Sequence, residues 1–350
     1  MAGPRNRVNG PRAATIGDVA RRAGVSVSSV SRYVHGEHVR TAAAIEEAIA
    51  TLGFRPSHAA QTLKLGRTMT IALVVPDVTN PFFAAVVRGA ETVTSEEGYT
   101  ILLADTDESP ARERVVLDGM IGRVDGVLLA PASEDDENPL MLRRAGLPVV
   151  FIDRRTHTVD GEPDVDTVLV DNRGGTRAAI DHLVAHGHRR IAIVSGPAES
   201  TPGRERLEAF GDALAAHGIS VPDDYVQFGG FREQGGREAT ERLLQLTDRP
   251  TAVFVANNVM TLGALQALLA AGVQVPEDLS IIGFDDHSFA GLLAAPLTVV
   301  DRPMEEQGRV AMHLLLNRIT GRDDSAPRRI VLDTVLVERK SCADPHSSPR

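Results

Sequence analysis

The 350-residue chain is 43% hydrophobic and 24% charged, with a single cysteine and a formal net charge of −10. One cysteine excludes a disulfide-stapled domain, no apolar run reaches the ~20 residues of a membrane span, and the opening MAGPRNRVNGPRAA lacks the apolar stretch of a secretory signal, so a cytoplasmic protein is expected. The charge is uneven: residues 1–67 hold 10 Lys+Arg against 4 acids, a net +6, leaving −16 on the rest. That asymmetry suits either a small module with a polyanionic partner on an acidic body, or a basic leader on an unrelated enzyme.

In chain order, residues 1–13 read as a disordered basic leader. The next stretch, ATIGDVARRAGVSVSSVSRYVHG (14–36), reads as two short helices. Thr15 is a good N-cap, and Asp18 three residues later completes a capping box. Ile16, Val19, Ala20 and Ala23 form one apolar face. Gly24 supplies the positive φ that stops the helix, and Ser26 caps a second helix from Val27 to about Val34. Helix, Gly-containing turn and helix make a helix-turn-helix, whose second helix enters the major groove by its N-terminal end. Small Val27, Ser28 and Ser29 permit close approach, Ser29 and Ser31 suit phosphates, and Arg32 can reach a guanine edge. An ordinary helical hairpin with a solvated serine face is the plainer reading of the same residues. TAAAIEEAIATLGFRPS predicts a third helix with Ile45, Ile49 and Leu52 on one face and Gly53 as its C-cap, closing a DNA-binding domain over 14–56. RPSHAAQTLKLGRT predicts a short helix over 57–67, capped by Ser57 and carrying Ala59, Ala60, Leu63, Lys64 and Arg67. A helix this short needs a partner to form.

TIGDVARRAGVSVSSVSRYVHG, LGFRPSHAAQTLKLGRT and VVPDVTNPFFAAVVRGAE together resemble the lactose-repressor/galactose-repressor (LacI/GalR) family of bacterial transcription regulators, from about Thr15 to Lys340. The resemblance implies that residues 57–67 are a hinge helix that folds on operator DNA, with Leu63 wedged into the minor groove, a role an exposed Leu beside cations suits. Simple packing of Leu63 in a linker helix is the alternative. The implied DNA-contact set is Thr15, Ser26, Val27, Ser28, Ser29, Ser31 and Arg32, with Ser57, Ala60, Leu63 and Lys64 in the hinge. The loop HGEHVRTAAAIEE is about two residues shorter than the family's usual one, and Thr41 is expected to cap the third helix.

From residue 69 the chain alternates. MTIALVV, TILLA, GVLLA, PVVFI, TVLV, RIAIV, AVFV and LSII are short β-rich runs, separated by helical patterns. Such alternation implies parallel sheets covered on both faces, and the length implies two α/β subdomains. The expected fold is therefore a small all-α helix-turn-helix headpiece plus an α/β body, 69–340, of two doubly wound subdomains; the resemblance makes that body periplasmic-binding-protein-like. The resemblance adds three crossings between the subdomains, near Leu169, Leu297 and Arg328, and an effector cleft between them. Residues 341–350 read as a flexible tail in which Cys342 is inert.

The resemblance places Asn80, Phe82 and Phe83 at the cleft rim, and Arg206, Phe231, Asn257 and Asp285 at effector-binding positions. Arg, Asn and Asp beside aromatic faces suit sugar hydroxyls and rings. An Asp after a strand can equally cap a helix, and Arg206 can equally pair with an acid. Ser200 and Pro202 differ from the Arg and Thr of a purine-responsive member. His182 and His186, with His188 beyond, have a spacing compatible with zinc, yet HGHRR also reads as a helix stop; no metal and no cofactor are expected. No P-loop, G-x-S-x-G or G-x-G-x-x-G occurs, so an enzyme is not expected. The expected partners are a pseudo-palindromic double-stranded DNA operator, a small polar effector, most simply a sugar, and a second copy of the chain, since two-fold operators need two headpieces. A solute-binding receptor without DNA activity is the rival function.

Overall fold

The computed structural model describes residues 14–34, 37–54, 66–135, 137–156, 165–287 and 290–345. The hinge positions Ser57, Ala60, Leu63 and Lys64, the leader 1–13 and residues 346–350 lie outside them. The chain divides into two compact units, residues 1–68 and 69–350.

The first unit is three helices: α1 (Ile16–Ala23), α2 (Val27–Val34) and α3 (Ala42–Leu52). Thr15 and Asp18 exchange bonds in a capping box, and Gly24 ends α1 in the left-handed region at φ +66°. Val19, Val30 and Ile45, one from each helix, are fully buried and form the centre of a core that Phe54 closes. Val19 and Ile45 belong to the apolar faces read from periodicity; Val30, on the serine-rich second helix, belongs to none. One expectation fails. Thr41 stands at the N-cap of α3 but makes no side-chain cap bond; its ψ of 23° is not the extended backbone that aims a capping hydroxyl at the helix amides.

The second unit contains two six-stranded sheets. The first has the order β11-β5-β4-β3-β1-β2, from β1 (Thr70–Val75), β2 (Thr100–Asp105), β3 (Gly126–Leu129), β4 (Val149–Ile152), β5 (Asp166–Val170) and β11 (Arg329–Leu332). The second has the order β12-β10-β9-β8-β6-β7, from β6 (Ile191–Ser195), β7 (Val226–Phe228), β8 (Ala252–Val255), β9 (Ser280–Phe284), β10 (Thr298–Asp301) and β12 (Val335–Val337). Every pairing is parallel except β10 with β12. The central strands β1, β3, β4, β6, β8 and β9 are buried almost throughout, as the continuous Val/Ile/Leu runs require of sheets covered on both faces.

The helices that bear on the site are α4 (Pro81–Glu96), α5 (Pro110–Met120), α6 (Asn138–Arg144), α7 (Asn172–Ala185), α8 (Thr201–Ala216), α9 (Glu233–Gln245), α10 (Asn258–Ala270) and α11 (Met304–Thr320). α4 and α11 pack backbone to backbone over the first sheet. A Cβ on Gly89 would lie 1.9 Å from the Glu305 carbonyl oxygen, and one on Gly308 would lie 2.2 Å from that of Val86, so only glycine allows this approach.

The chain passes between the sheets three times: from β5 to α7 at Asp171, from β10 to α11 at Arg302–Pro303, and from β11 to β12 at Asp333–Thr334. The last two fall beyond the expected Leu297 and Arg328. Each of those residues precedes a short strand, β10 or β11, that still belongs to the sheet being left. The chain end also departs from expectation. Ser341 is fully buried, donating to the Ile281 carbonyl at 2.6 Å and accepting from the Thr298 amide at 2.8 Å. Cys342 packs on the core of the second sheet, and burial raises its thiol to about 11. Residues 341–343 are thus docked on the start of β9, because Ser280 and Ile281, ahead of its pairing with β10, offer hydrogen bonds that a free tail would forgo.

Candidate functional site

Two surfaces carry chemistry. On the headpiece, the start of α2 is open. Val27 is 49% exposed although apolar, Ser28 is exposed, and Ser29 and Ser31 are half-buried. Ser26 accepts from the Ser29 amide at 3.1 Å and bonds the Ser28 and Ser29 hydroxyls at 2.8 and 2.9 Å, so it fixes the turn while its neighbours face out. Arg32 reaches back to Glu37 at 2.7 Å in a pair whose members are both more than half exposed. Such a pair is weak and readily exchanged for a phosphate or a base. Thr15 is engaged with Asp18, whose carboxyl those bonds hold below its usual range. Arg21 and Arg22 are exposed.

In the body, a narrow space lies between the two sheets. It brings together six expected residues, Asn80, Phe82, Phe83, Arg206, Phe231 and Asn257, and four others, Asp153, Arg154, Pro202 and Arg302. The site lies beyond the carboxyl ends of parallel strands, where α/β sheets bind ligands. Asn80 caps α4, accepting from the Phe82 amide at 3.0 Å, and Asn257 caps α10, accepting from the Met260 amide at 2.8 Å. Both therefore have structural work beside any ligand role. Phe82 and Phe83 meet edge to face at 4.7 Å. Gly196 makes room for the Phe231 ring, which a Cβ there would strike at 2.1 Å.

Three non-glycine residues at the cleft hold positive φ: Asp153 (65°), Phe231 (58°) and Asp285 (76°). Strained backbone of this kind concentrates at ligand sites. Asp285 differs from the other expected residues in that it does not line the space. Its carboxylate is taken by Arg302, with Nε 2.6 Å from Oδ1 and Nη2 3.2 Å from Oδ2. Arg302 also donates to Asp153, so one guanidinium ties a carboxylate of each subdomain. It lies 3.6 Å over the Phe82 ring. Burial works against its charge, but Asp285 and Asp153 more than offset that and raise its pKa. Burial would raise the Asp153 carboxyl; Arg302, Arg206 and Arg154 instead hold it below its usual range.

Arg206 is 1% exposed. Its Nε donates to Asn172 at 2.9 Å, Nη1 donates to the Ala256 carbonyl, and its plane lies 3.5 Å from the Phe284 ring. Nη2 has no hydrogen-bond partner among the described residues. Burial, then Arg302, lowers its pKa to about 9. Arg154 instead grips Glu108 with two bonds, 2.6 and 2.8 Å. Around the space the subdomains are fastened directly. Glu134 of the first accepts from Thr201 and Arg204 of the second at 2.9 and 2.7 Å, and Arg232 of the second bonds Asp77 and Asp107 of the first. Asp153, Arg154 and Arg302 escaped the sequence reading; the charged pairs ending the apolar runs FIDR and VVDR are the signal that marks them.

His188 is not arranged as a ligand: its ring nitrogens bond Thr251 and Ser280 at 2.9 and 3.0 Å. Among the described residues no cluster of three His, Cys, Asp or Glu is placed to hold a metal, and no helix is long and apolar enough to cross a membrane.

Comparison with known proteins follows the same division. Residues 15–57 match bacterial regulatory proteins of the lacI family, and residues 180–342 match the periplasmic binding protein-like domain. The chain is 37% identical over 333 residues to the ribose operon repressor of Escherichia coli, covering 94% of this chain and 99% of that one. It is 39% identical over 340 residues to the HTH-type transcriptional regulator CelR of Thermobifida fusca, covering 94% and 98%. Among solved structures it is similar to a CelR–cellobiose complex (TM-score 0.73, 37% identity, 94% of this chain and 99% of that one) and to a lac repressor dimer bound to operator and an anti-inducer (TM-score 0.82, 26% identity, 95% and 100%). These relatives are regulators rather than enzymes, and this chain, with its helix-turn-helix unit and two-sheet body, belongs to the lacI family of bacterial transcriptional regulators.

Proposed function

We propose that the protein is a homodimeric transcriptional repressor whose operator affinity is set by a small effector of the sugar class bound between the two sheets of its body. One observation carries the reading: the same chain holds an open recognition-helix N-terminus and a buried, aromatic- and arginine-lined space in which Arg206 keeps an open donor. Val27, Ser28, Ser29, Ser31 and Arg32 are the proposed major-groove contacts. Arg206, Asn80, Phe82, Phe83, Phe231 and Asn257 are the proposed effector contacts, with Asp285 acting through Arg302. The E. coli relative named for the ribose operon and the CelR complex with cellobiose support a carbohydrate ligand. An effector shifts DNA affinity only if it favours one arrangement of the subdomains, typically by about 1–3 kcal/mol.

The test is a gel shift on DNA upstream of the chain's own gene neighbourhood, paired with a thermal-shift screen over sugars, nucleosides and amino acids. A sequence-specific shift that a stabilising sugar modulates is expected. Ligand-induced stabilisation with no DNA binding would favour the solute-receptor function instead. The minor-groove wedge is tested separately: Leu63→Ala is expected to weaken operator binding while sparing nonspecific binding, and equal loss on both DNAs would remove the wedge.

A further inference from the structure

The cleft is short of free acceptors. Asp153 and Asp285 are both engaged by Arg302, Glu108 is engaged twice by Arg154, and the side-chain oxygens of Asn80 and Asn257 each accept a helix-capping amide. Asp285 Oδ1 makes no hydrogen bond but sits in ion contact with Arg302 Nε at 2.6 Å, whereas Arg206 Nη2 and Arg154 Nε, on side chains that are 1% and 3% exposed, have neither a hydrogen bond nor an acid held against them at those atoms among the described residues.

The two guanidinium groups that flank this space have different company. Arg302 has a carboxylate on either side. Arg206 has only the neutral oxygens of Asn172 and Ala256 and the face of Phe284. Buried charges are ordinarily matched by an opposite charge, and burial together with the nearby Arg302 works against the charged form of Arg206. Arg302 thus takes up the two aspartates that would otherwise accept hydroxyl hydrogens, and their charges, with that of Glu205, only partly compensate Arg206. A neutral sugar brings hydroxyls that must donate as well as accept, and finds few free acceptors. A ligand with anionic oxygens meets the open donors and supplies the missing counter-charge.

Resting on the effector-site reading above, we propose that the effector is an anionic sugar, bearing a carboxylate or phosphoryl group whose oxygens are received at Arg206, and that Arg302 sets this preference by occupying Asp153 and Asp285.

The experiment is calorimetric titration of the full chain with matched sets: glucose, glucuronate, gluconate and glucose 6-phosphate; galactose and galacturonate; ribose and ribose 5-phosphate. At least one charged member is expected to bind about tenfold or more tighter than its neutral parent, and the carboxylate and phosphate arms identify which anion is meant. Arg302→Gln, which frees both aspartates as acceptors, is expected to reduce that discrimination at least about tenfold, whereas Arg302→Lys retains it. Neutral parents binding as tightly as their acids and phosphates would overturn the anionic assignment while leaving the effector site standing, provided Arg206→Ala abolishes that neutral binding. Binding that survives Arg206→Ala, or no binding by any member, would overturn both. The wild-type comparison decides the question even if Arg302→Gln fails to fold.

Discussion

The headpiece and the cleft of the body use the same residue, arginine, under opposite conditions. Arg21 and Arg32 have side chains 80% and 58% exposed, each paired with one exposed acid. Arg302 has a side chain 3% exposed and is locked to two buried acids, and Arg206 is 1% exposed with one donor open. In water a cation attracts a polyanion at long range and exchanges partners cheaply; in a dry interior it is held by geometry and selects among ligands. The two binding functions thus differ in dielectric surroundings more than in residue type.

Salt breaks this comparison most strongly. If a dimer neutralises about 8 phosphates, log operator affinity falls with log salt at a slope of about −7, roughly 10⁴-fold between 50 and 200 mM. Effector affinity should change less than about threefold over that range, because buried pairs are poorly screened. Parallel salt dependence in the two titrations would erase the distinction.

Next in size is the effect of deleting a charge. Arg302→Ala leaves Asp153 and Asp285 buried without their shared partner and should cost about 3–5 kcal/mol in denaturant unfolding of the body, against less than about 0.5 kcal/mol for Arg21→Ala at the surface. Similar losses would mean that burial does not separate the two arginines.

Arg32→Ala sharpens the headpiece side. Loss of base preference at one position per half-site, by about 1–3 kcal/mol in a competition binding assay, marks a base contact; a uniform loss across sequences marks a phosphate contact.

The smallest effect concerns a buried base rather than a buried cation. Burial lowers His188 from 6.5 to about 4 while Thr251 and Ser280 hold its ring. The unfolded chain therefore takes up a proton first, and the stability owed to the neutral ring, full above pH 6.5, declines as pH falls towards 4. The melting temperature should drop by about 2–5 °C more between pH 7 and 5 in the wild type than in His188→Gln. A matching drop in the variant would assign the slope to other groups.

Local rules made the headpiece legible. The Thr15–Asp18 box, the Gly24 stop and the Ser26 cap each depend on residues within four positions of one another, so a short window contains the whole interaction. The eight apolar runs read as strands are strands; seven are buried, as sheets covered on both faces demand of unbroken Val/Ile/Leu stretches, and the eighth, β2, is an edge strand whose Leu102 and Leu103 are 40% and 46% exposed. Four further strands, β7, β10, β11 and β12, were not read. Each is three or four residues long; in β11 and β12 Val331 and Val335 are 51% and 64% exposed and in β7 Phe228 is 50% exposed, so little burial shapes those three, whereas β10 is buried and too short to stand out as a run. In the cleft, resemblance supplied Arg206 and its aromatic neighbours, whereas Asp153 and Arg302 are 149 positions apart and become a pair only when two sheets meet. A pairing across that distance leaves no local pattern.

The central claim, that the cleft governs the headpiece through Arg206, is tested most directly by titrating operator DNA with wild type and Arg206→Ala, each with and without the effector found by calorimetry. The account predicts that the variant keeps wild-type operator affinity without effector and shows no change when effector is added, while the wild type shifts by about 5–150-fold. An Arg206→Ala protein that still responds at wild-type effector concentrations would contradict it and place the controlling ligand elsewhere.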